Sequence, residues 1–197
     1  NTRSRGLGDV YKRQALGHNR AFVKFTSLKT LWFNTGTLCN LSCDGCYIES
    51  SPINNKLLYL NTKDVDQYLQ QIKKYNFSCD TIGFTGGEPF MNKDIISILN
   101  LCKKENYNIL ILTNAMQPML NKIKELKTFA TYEKLTIRVS LDHYTKEGHE
   151  YIRGKNTWDK ALKGIRWLAD NKFNINIASR IINLSLIHIS EPTRPRI

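Results

Sequence analysis

The sequence predicts an α/β fold in which parallel strands and helices alternate over about five strand–helix units. Three features predict it. Short β-prone apolar runs alternate with helical periodicities through most of the chain. Ile109–Leu112 is an unbroken apolar run, the pattern of a parallel strand covered on both faces. Leu135–Asp142 alternates instead, with Leu135, Ile137, Val139 and Leu141 on one face and Thr136, Arg138, Ser140 and Asp142 on the other. Right-handed crossovers of such units build either an open doubly wound sheet or a (β/α) barrel. A polar inner face is costly in a packed core but natural in a barrel lined for a polar ligand. The alternation therefore favours a partial (β/α) barrel.

The elements follow in order. Leu31–Gly36 is the first strand, followed by a Cys-rich loop and a polar connector through Ser50, Pro52 and Asn55. Val65, Tyr68, Leu69, Ile72 and Tyr75 share one helical face, with Thr62 as the expected N-cap. Thr81–Thr85 is the second strand and ends in Gly86–Gly87. Ile95, Ile98, Leu99 and Cys102 mark a second helix, capped by Asn92. Ile109–Leu112 is the third strand, and a weaker helix begins near Pro118. After the fourth strand, Trp158, Ala161, Leu162, Ile165, Leu168 and Ala169 give the clearest helix. Asn174–Ile182 is the fifth strand, with Asn176 and Arg180 on one face.

The two ends read unlike the middle. Codons permitted for Ser4–Gln14, SRGLGDVYKRQ, have a reverse complement that translates as Leu184–Arg194, LSLIHISEPTR. Such a match resembles one sequencing adapter joined in opposite orientations. Residues 1–14 and 184–197 are therefore set aside as adapter-derived, leaving residues 15–183 as an incomplete core, truncated at its C-terminus inside the fifth strand. The whole chain has 29 basic and 17 acidic side chains, a formal charge of +12. The ends hold six basic and two acidic residues, so the middle carries +8. Hydrophobic residues at 41% suffice for a core and argue against global disorder. No run approaches ~18 apolar residues, so no membrane-spanning helix is expected.

Cys39, Cys43 and Cys46 stand in CNLSCDGC, a C-x3-C-x2-C spacing directly after the first strand. A tight loop brings three thiolates together at that spacing. Zinc would require a fourth ligand, and no second C-x2-C or H-x3-H pair is present. Three cysteines on a [4Fe–4S] cluster instead leave one iron open to bind a small molecule. Cys79 and Cys102 are isolated and read as small core residues.

With TGGEPF at Thr85–Phe90 one strand later, the sequence resembles the core of the radical S-adenosylmethionine enzymes. The resemblance covers most of residues 30–183 and implies a radical SAM type of barrel. It implies two cofactors, a [4Fe–4S] cluster on Cys39, Cys43 and Cys46, and S-adenosylmethionine. The reduced cluster would cleave S-adenosylmethionine to methionine and a 5′-deoxyadenosyl radical, which abstracts hydrogen from substrate. It further implies that Gly86 and Gly87 admit the methionine end of the cofactor, their backbone binding its amino group. Glu88 with Pro89 would fix the turn. Ser140 and Asp142 match the family's ribose-contacting positions, Arg153 or Arg180 would pair with the carboxylate, and Asn114 would reach the site. One departure concerns the adenine: family members commonly carry an aromatic residue before the third cysteine, and here it is Gly45. No residue is assigned to the chemistry on substrate.

These readings predict a cytoplasmic radical SAM oxidoreductase or transferase. Its electron donor would be a protein such as reduced flavodoxin or ferredoxin, and its substrate an unidentified small molecule or peptide. A non-catalytic iron–sulfur binding or redox-sensing protein is a second class. An RNA-modifying enzyme is a third, suggested by the charge. Lys73, Lys74, Lys103 and Lys104 lie in helical segments, however, where a solvated face is the usual explanation, and no RNA-binding motif accompanies them.

Overall fold

A computed structural model describes residues 24–180. The end segments 1–14 and 184–197, and Ile181–Ile182 of the expected fifth strand, lie outside the described residues. The elements run β1 Thr30–Asn34, α1 Thr62–Lys74, β2 Thr81–Thr85, α2 Ile95–Lys104, β3 Asn108–Thr113, α3 Gln117–Leu120 and α4 Ile123–Leu126. The chain continues with β4 Leu135–Ser140, α5 Lys146–Arg153, α6 Trp158–Asp170 and β5 Asn174–Ala178. The five strands form one sheet in the order β1-β2-β3-β4-β5, every pair parallel. Sequential order with parallel pairing is barrel-like, but the described sheet is open, with β1 and β5 at its edges.

Register explains which face is buried. Phe33, Phe84, Ile111, Ile137 and Ile175 stand side by side across the sheet. They face Val65, Leu69 and Ile72 of α1, Ile95, Ile98, Leu99 and Cys102 of α2, and Leu168 of α6 in one apolar core. Each such side chain, fully buried, stabilises by roughly 1.5–3 kcal/mol. The neighbouring row is Trp32, Gly83, Leu110, Thr136 and Asn174, on the opposite face. The alternation of β4 is as expected: Leu135, Ile137 and Val139 are buried, while Thr136, Arg138 and Ser140 are half-buried on the inner face. At the β5 edge, Ile177 remains 49% exposed.

Three local expectations are corrected. The cap of α1 is Asn61, not Thr62: Asn61 accepts from the Asp64 N–H at 3.0 Å and its own N–H donates to Asp64 at 3.2 Å. The residue preceding α2 is Asp94. Asn92 holds the approach to that helix, accepting from the Asp94 N–H at 2.9 Å and donating to the Leu60 carbonyl at 2.7 Å. Helix α5 was not expected at all. It starts at Thr145, whose hydroxyl accepts from the Gly148 N–H at 3.2 Å.

The lysines behind the RNA reading are partly committed to the fold. Lys73 pairs with Glu105. Lys103 donates to the Thr128 carbonyl at 2.9 Å and lies 5.1 Å from the Phe129 ring centre. Because all strands are parallel, the loops that leave them open on a single edge of the sheet, and the cysteine loop is one of these.

Candidate functional site

The loop after β1 is knitted before it reaches its cysteines. Thr37 donates to the Asn54 carbonyl at 3.0 Å and accepts from the Leu57 N–H at 3.1 Å. Cys39 N–H donates to the Ser51 carbonyl at 3.1 Å. Farther along, Asp44 N–H donates at 2.8 Å to the carbonyl of Ile152 on α5. The loop therefore carries Cys39, Cys43 and Cys46 to the wall of one cavity of about 420 Å³. Thr85–Glu88, Thr113, Asn114, Ser140, Arg153 and Arg180 complete much of that wall.

Burial pushes the Cys39 thiol up to about 11 and raises that of Cys43. Bare thiolates are thus disfavoured here, and a bound cationic centre would relieve the penalty. Among the described residues, no three His, Cys, Asp or Glu side chains gather closely enough for one metal ion. A single zinc draws its sulfurs to about 2.3 Å from one centre, whereas an iron–sulfur cluster spreads its thiolates over several irons. Three thiols on the wall of one cavity are the donor type that an iron–sulfur cluster takes.

Glu88 is buried and fully occupied by internal donors. One carboxylate oxygen accepts from the Thr113 hydroxyl at 2.8 Å and the Phe90 N–H at 3.1 Å. The other accepts from the Asn114 N–H at 2.8 Å. Burial pushes the carboxyl above its usual range, and the three donors act against that rise. The side chain ties the end of β2 to the end of β3. Glu88→Gln is expected to lower stability by about 1–3 kcal/mol, since an amide cannot accept on both sides and leaves one buried N–H unpaired. Chemical denaturation of the two proteins measures it, and equal midpoints would refute the brace.

Gly87 touches the cysteine loop. A Cβ there would stand 2.0 Å from the Leu38 carbonyl oxygen, one residue before Cys39. Gly87 N–H donates to Gly36 at 2.8 Å and Glu88 N–H to Leu38 at 3.0 Å. The glycine is thus required by close approach of the cysteine loop itself.

The two arginines differ. Arg153 grips Asp142 through Nε at 2.7 Å and Nη2 at 3.4 Å. Both side chains are almost wholly buried, with Asp142 at 4%. Arg180 is 41% exposed, lies 3.5 Å from Asp142 and donates to the Asp44 carbonyl at 3.0 Å. Breaking the buried pair would strand a charge away from water, a costly outcome.

Of the residues singled out from sequence, the structure brings together Cys39, Cys43, Cys46, Gly86, Gly87, Glu88, Asn114, Ser140, Arg153 and Arg180. Pro89 and Asp142 are not part of the cavity wall: Pro89 opens a short 3-10 turn, and Asp142 sits behind its arginine. Leu41, Ser50, Thr85, Leu112 and Thr113 also line the cavity and were not anticipated. Thr85 and Thr113 end their strands, which was the available signal. Gly45 faces Arg180, whose Nη1 lies 3.5 Å from where a Cβ would be, and Tyr47 is exposed at the rim.

The model of the Radical SAM superfamily matches residues 33–187, most of the chain. The chain belongs to the radical SAM superfamily. A relative from Bacillus subtilis, the antilisterial bacteriocin subtilosin biosynthesis protein AlbA, is 28% identical over 78% of this chain and 33% of its own length. A probable GTP 3',8-cyclase of Saccharolobus islandicus is 26% identical over 68% of this chain and 41% of its own. The chain therefore spans well under half of these curated relatives. Among solved structures, Streptococcus suis SuiB bound to S-adenosylmethionine superimposes with a TM-score of 0.67 at 20% identity. That match covers 83% of this chain and 36% of SuiB, and at this identity it speaks to the fold. Methylornithine synthase (PylB) superimposes with a TM-score of 0.56 at 17% identity, over 77% of this chain and 44% of its own. This radical SAM core and its relatives share alternating parallel strands and helices. Among its described residues, no helix is long and apolar enough to cross a membrane.

Proposed function

We propose that the chain is the cofactor-binding core of an enzyme that reductively cleaves S-adenosylmethionine. The observation that carries this is the meeting of three thiols and the Gly86–Glu88 turn on a single cavity, in a chain of this family. When bound, a [4Fe–4S] cluster and S-adenosylmethionine together supply a 5′-deoxyadenosyl radical for hydrogen abstraction. Cys39, Cys43 and Cys46 would hold the cluster. The backbone at Gly86–Gly87 presents amide and carbonyl groups beside the cysteine loop, suited to the amino group of the methionine moiety.

Arg180 is the better partner for the cofactor carboxylate. Arg153 spends its fork on Asp142, whereas Arg180 stands in the wall, half-exposed, with Nη2 bound to no described protein group. Ser140 offers a hydroxyl for the ribose. Asp142 would act at one remove, by fixing Arg153 and drawing Arg180 inward.

The electron would come from a protein such as reduced flavodoxin or ferredoxin. The substrate would be a small molecule or a peptide, and a relative in bacteriocin biosynthesis supports the peptide. The test is anaerobic reconstitution with iron and sulfide, chemical reduction and addition of S-adenosylmethionine. Methionine and 5′-deoxyadenosine are expected in equal amounts by mass spectrometry. A reconstituted cluster that is reduced yet releases neither would leave a binding or sensing protein and overturn the enzyme reading.

A further inference from the structure

Two residues of the cavity wall approach the sulfurs of the cysteine loop, Asn114 through its side-chain amide and Ser50 through its backbone N–H. Asn114, buried after β3, uses its backbone N–H and both ends of its side-chain amide. Its backbone N–H donates to Glu88 at 2.8 Å, and its Oδ1 accepts from the Met116 N–H at 3.1 Å. Its Nδ2 donates to Asn40 Oδ1 at 2.9 Å and approaches Cys39 Sγ at 4.0 Å. An amide nitrogen has two hydrogens, so one bond does not exclude the other. The Asn40 amide in turn approaches Met116 Sδ at 3.9 Å. The carboxamide of Asn114 is thereby held at two points, Oδ1 and Nδ2, with its Nδ2 also approaching Cys39.

Ser50 stands beside Cys46. Its backbone N–H donates to Cys46 Sγ at 3.4 Å. Its hydroxyl is buried, belongs to a residue in the cavity wall, and has no hydrogen-bond partner among the described residues. A buried hydroxyl without a partner is costly unless something else in the cavity accepts from it. The same residue already lies against the Cys46 sulfur through its backbone N–H, so a sulfur held there is the acceptor the hydroxyl would find on occupation of the cavity.

Resting on the cluster reading above, we propose that Asn114 and Ser50 are positioning residues that set the reduction potential of the cluster by donating hydrogen bonds to its sulfurs. Asn114 acts on Cys39, and Ser50 on the Cys46 side. Donors to cluster sulfur stabilise the more negative, reduced form and so raise the potential. The arrangement also gives Glu88 a reach beyond its own turn: by holding the Asn114 backbone, it fixes the donor that faces Cys39.

The test is a redox titration of the full reconstituted chain, followed by electron paramagnetic resonance without S-adenosylmethionine. Wild type is compared with Asn114→Ala, Ser50→Ala and the double variant. Each single variant is expected to keep its iron and sulfide content and to titrate at a more negative potential. The double variant should shift farthest. Ser50→Ala keeps the backbone donor and removes only the hydroxyl, so it reports even where Asn114→Ala holds iron poorly. Calorimetric binding of S-adenosylmethionine is measured alongside. Unchanged potentials in the iron-loaded variants would overturn the proposal, as would weakened cofactor binding at unchanged potential, which would make these residues direct cofactor contacts. Wild type that takes up no iron would instead overturn the cluster reading itself.

Discussion

Replacing Cys39, Cys43 or Cys46 with alanine is expected to abolish cluster loading and with it all cleavage of S-adenosylmethionine. On the proposed reading each thiol would supply one of three protein ligands, and the cavity contains no spare cysteine to take its place: Cys79 and Cys102 are not in its wall. Cys102 is fully buried among Ile98, Leu99 and their neighbours in the core, and Cys79 packs against that same core. Cys79→Ala and Cys102→Ala should therefore keep their iron, with a stability change on the order of 1 kcal/mol. The cavity wall adds a reason for the sharp difference. Burial disfavours free thiolates at Cys39 and Cys43, so two remaining thiols gain little from a partial site. Iron and sulfide content after anaerobic reconstitution measures the effect. Full iron in any one of the three alanine variants, or stoichiometric zinc in place of iron in wild type, would sink the assignment.

Much of this arrangement was legible in the sequence, and the part that was not has a common cause. The central strands could be read because their apolar residues are buried in a regular pattern. Ile109 and Ile111 lie in the apolar core, while Ser140 ends β4 in the cavity wall. The three cysteines are close in sequence, so local spacing alone placed them together. Helix α5 escaped because its core stripe is only two buried residues, His149 and Ile152, in eight positions that include a glycine. Its role is nevertheless specific: it brings Arg153 to Asp142 and the Ile152 carbonyl to Asp44. Contacts across long separations were equally silent. Glu88 is 25 residues from Thr113 and 26 from Asn114, and no periodicity links them. The cap of α1 was missed by one residue because Asn61 and Thr62 are both good capping residues. The capping box with Asp64 decides between them.

Gly87→Val is expected to lower both iron content and S-adenosylmethionine binding. A glycine that only admitted the methionine end of the cofactor would, when replaced, weaken cofactor binding and leave the cluster untouched. The backbone geometry argues otherwise. Gly87 is not among the residues with positive φ, so its conformation is open to any side chain and only space demands glycine. That space is filled by the Leu38 carbonyl, 2.0 Å from the ideal Cβ position, with the Leu38 carbonyl carbon at 2.6 Å. Backbone cannot rotate out of the way as a side-chain tip does. The same carbonyl accepts from the Glu88 N–H, and Gly36 accepts from the Gly87 N–H, so the two loops are held together on either side of the clash. A valine must therefore push Leu38, and Cys39 with it, away from the Gly86–Glu88 turn. Overpacking of this kind costs about 1–3 kcal/mol even where the surroundings can yield. Gly87→Ala should show the same two losses to a smaller degree. Iron content, calorimetric binding and thermal melting of both variants against wild type provide the measurement. Normal iron with selectively weakened S-adenosylmethionine binding would show that Gly87 faces the cofactor after all and that the Leu38 contact is not what requires it.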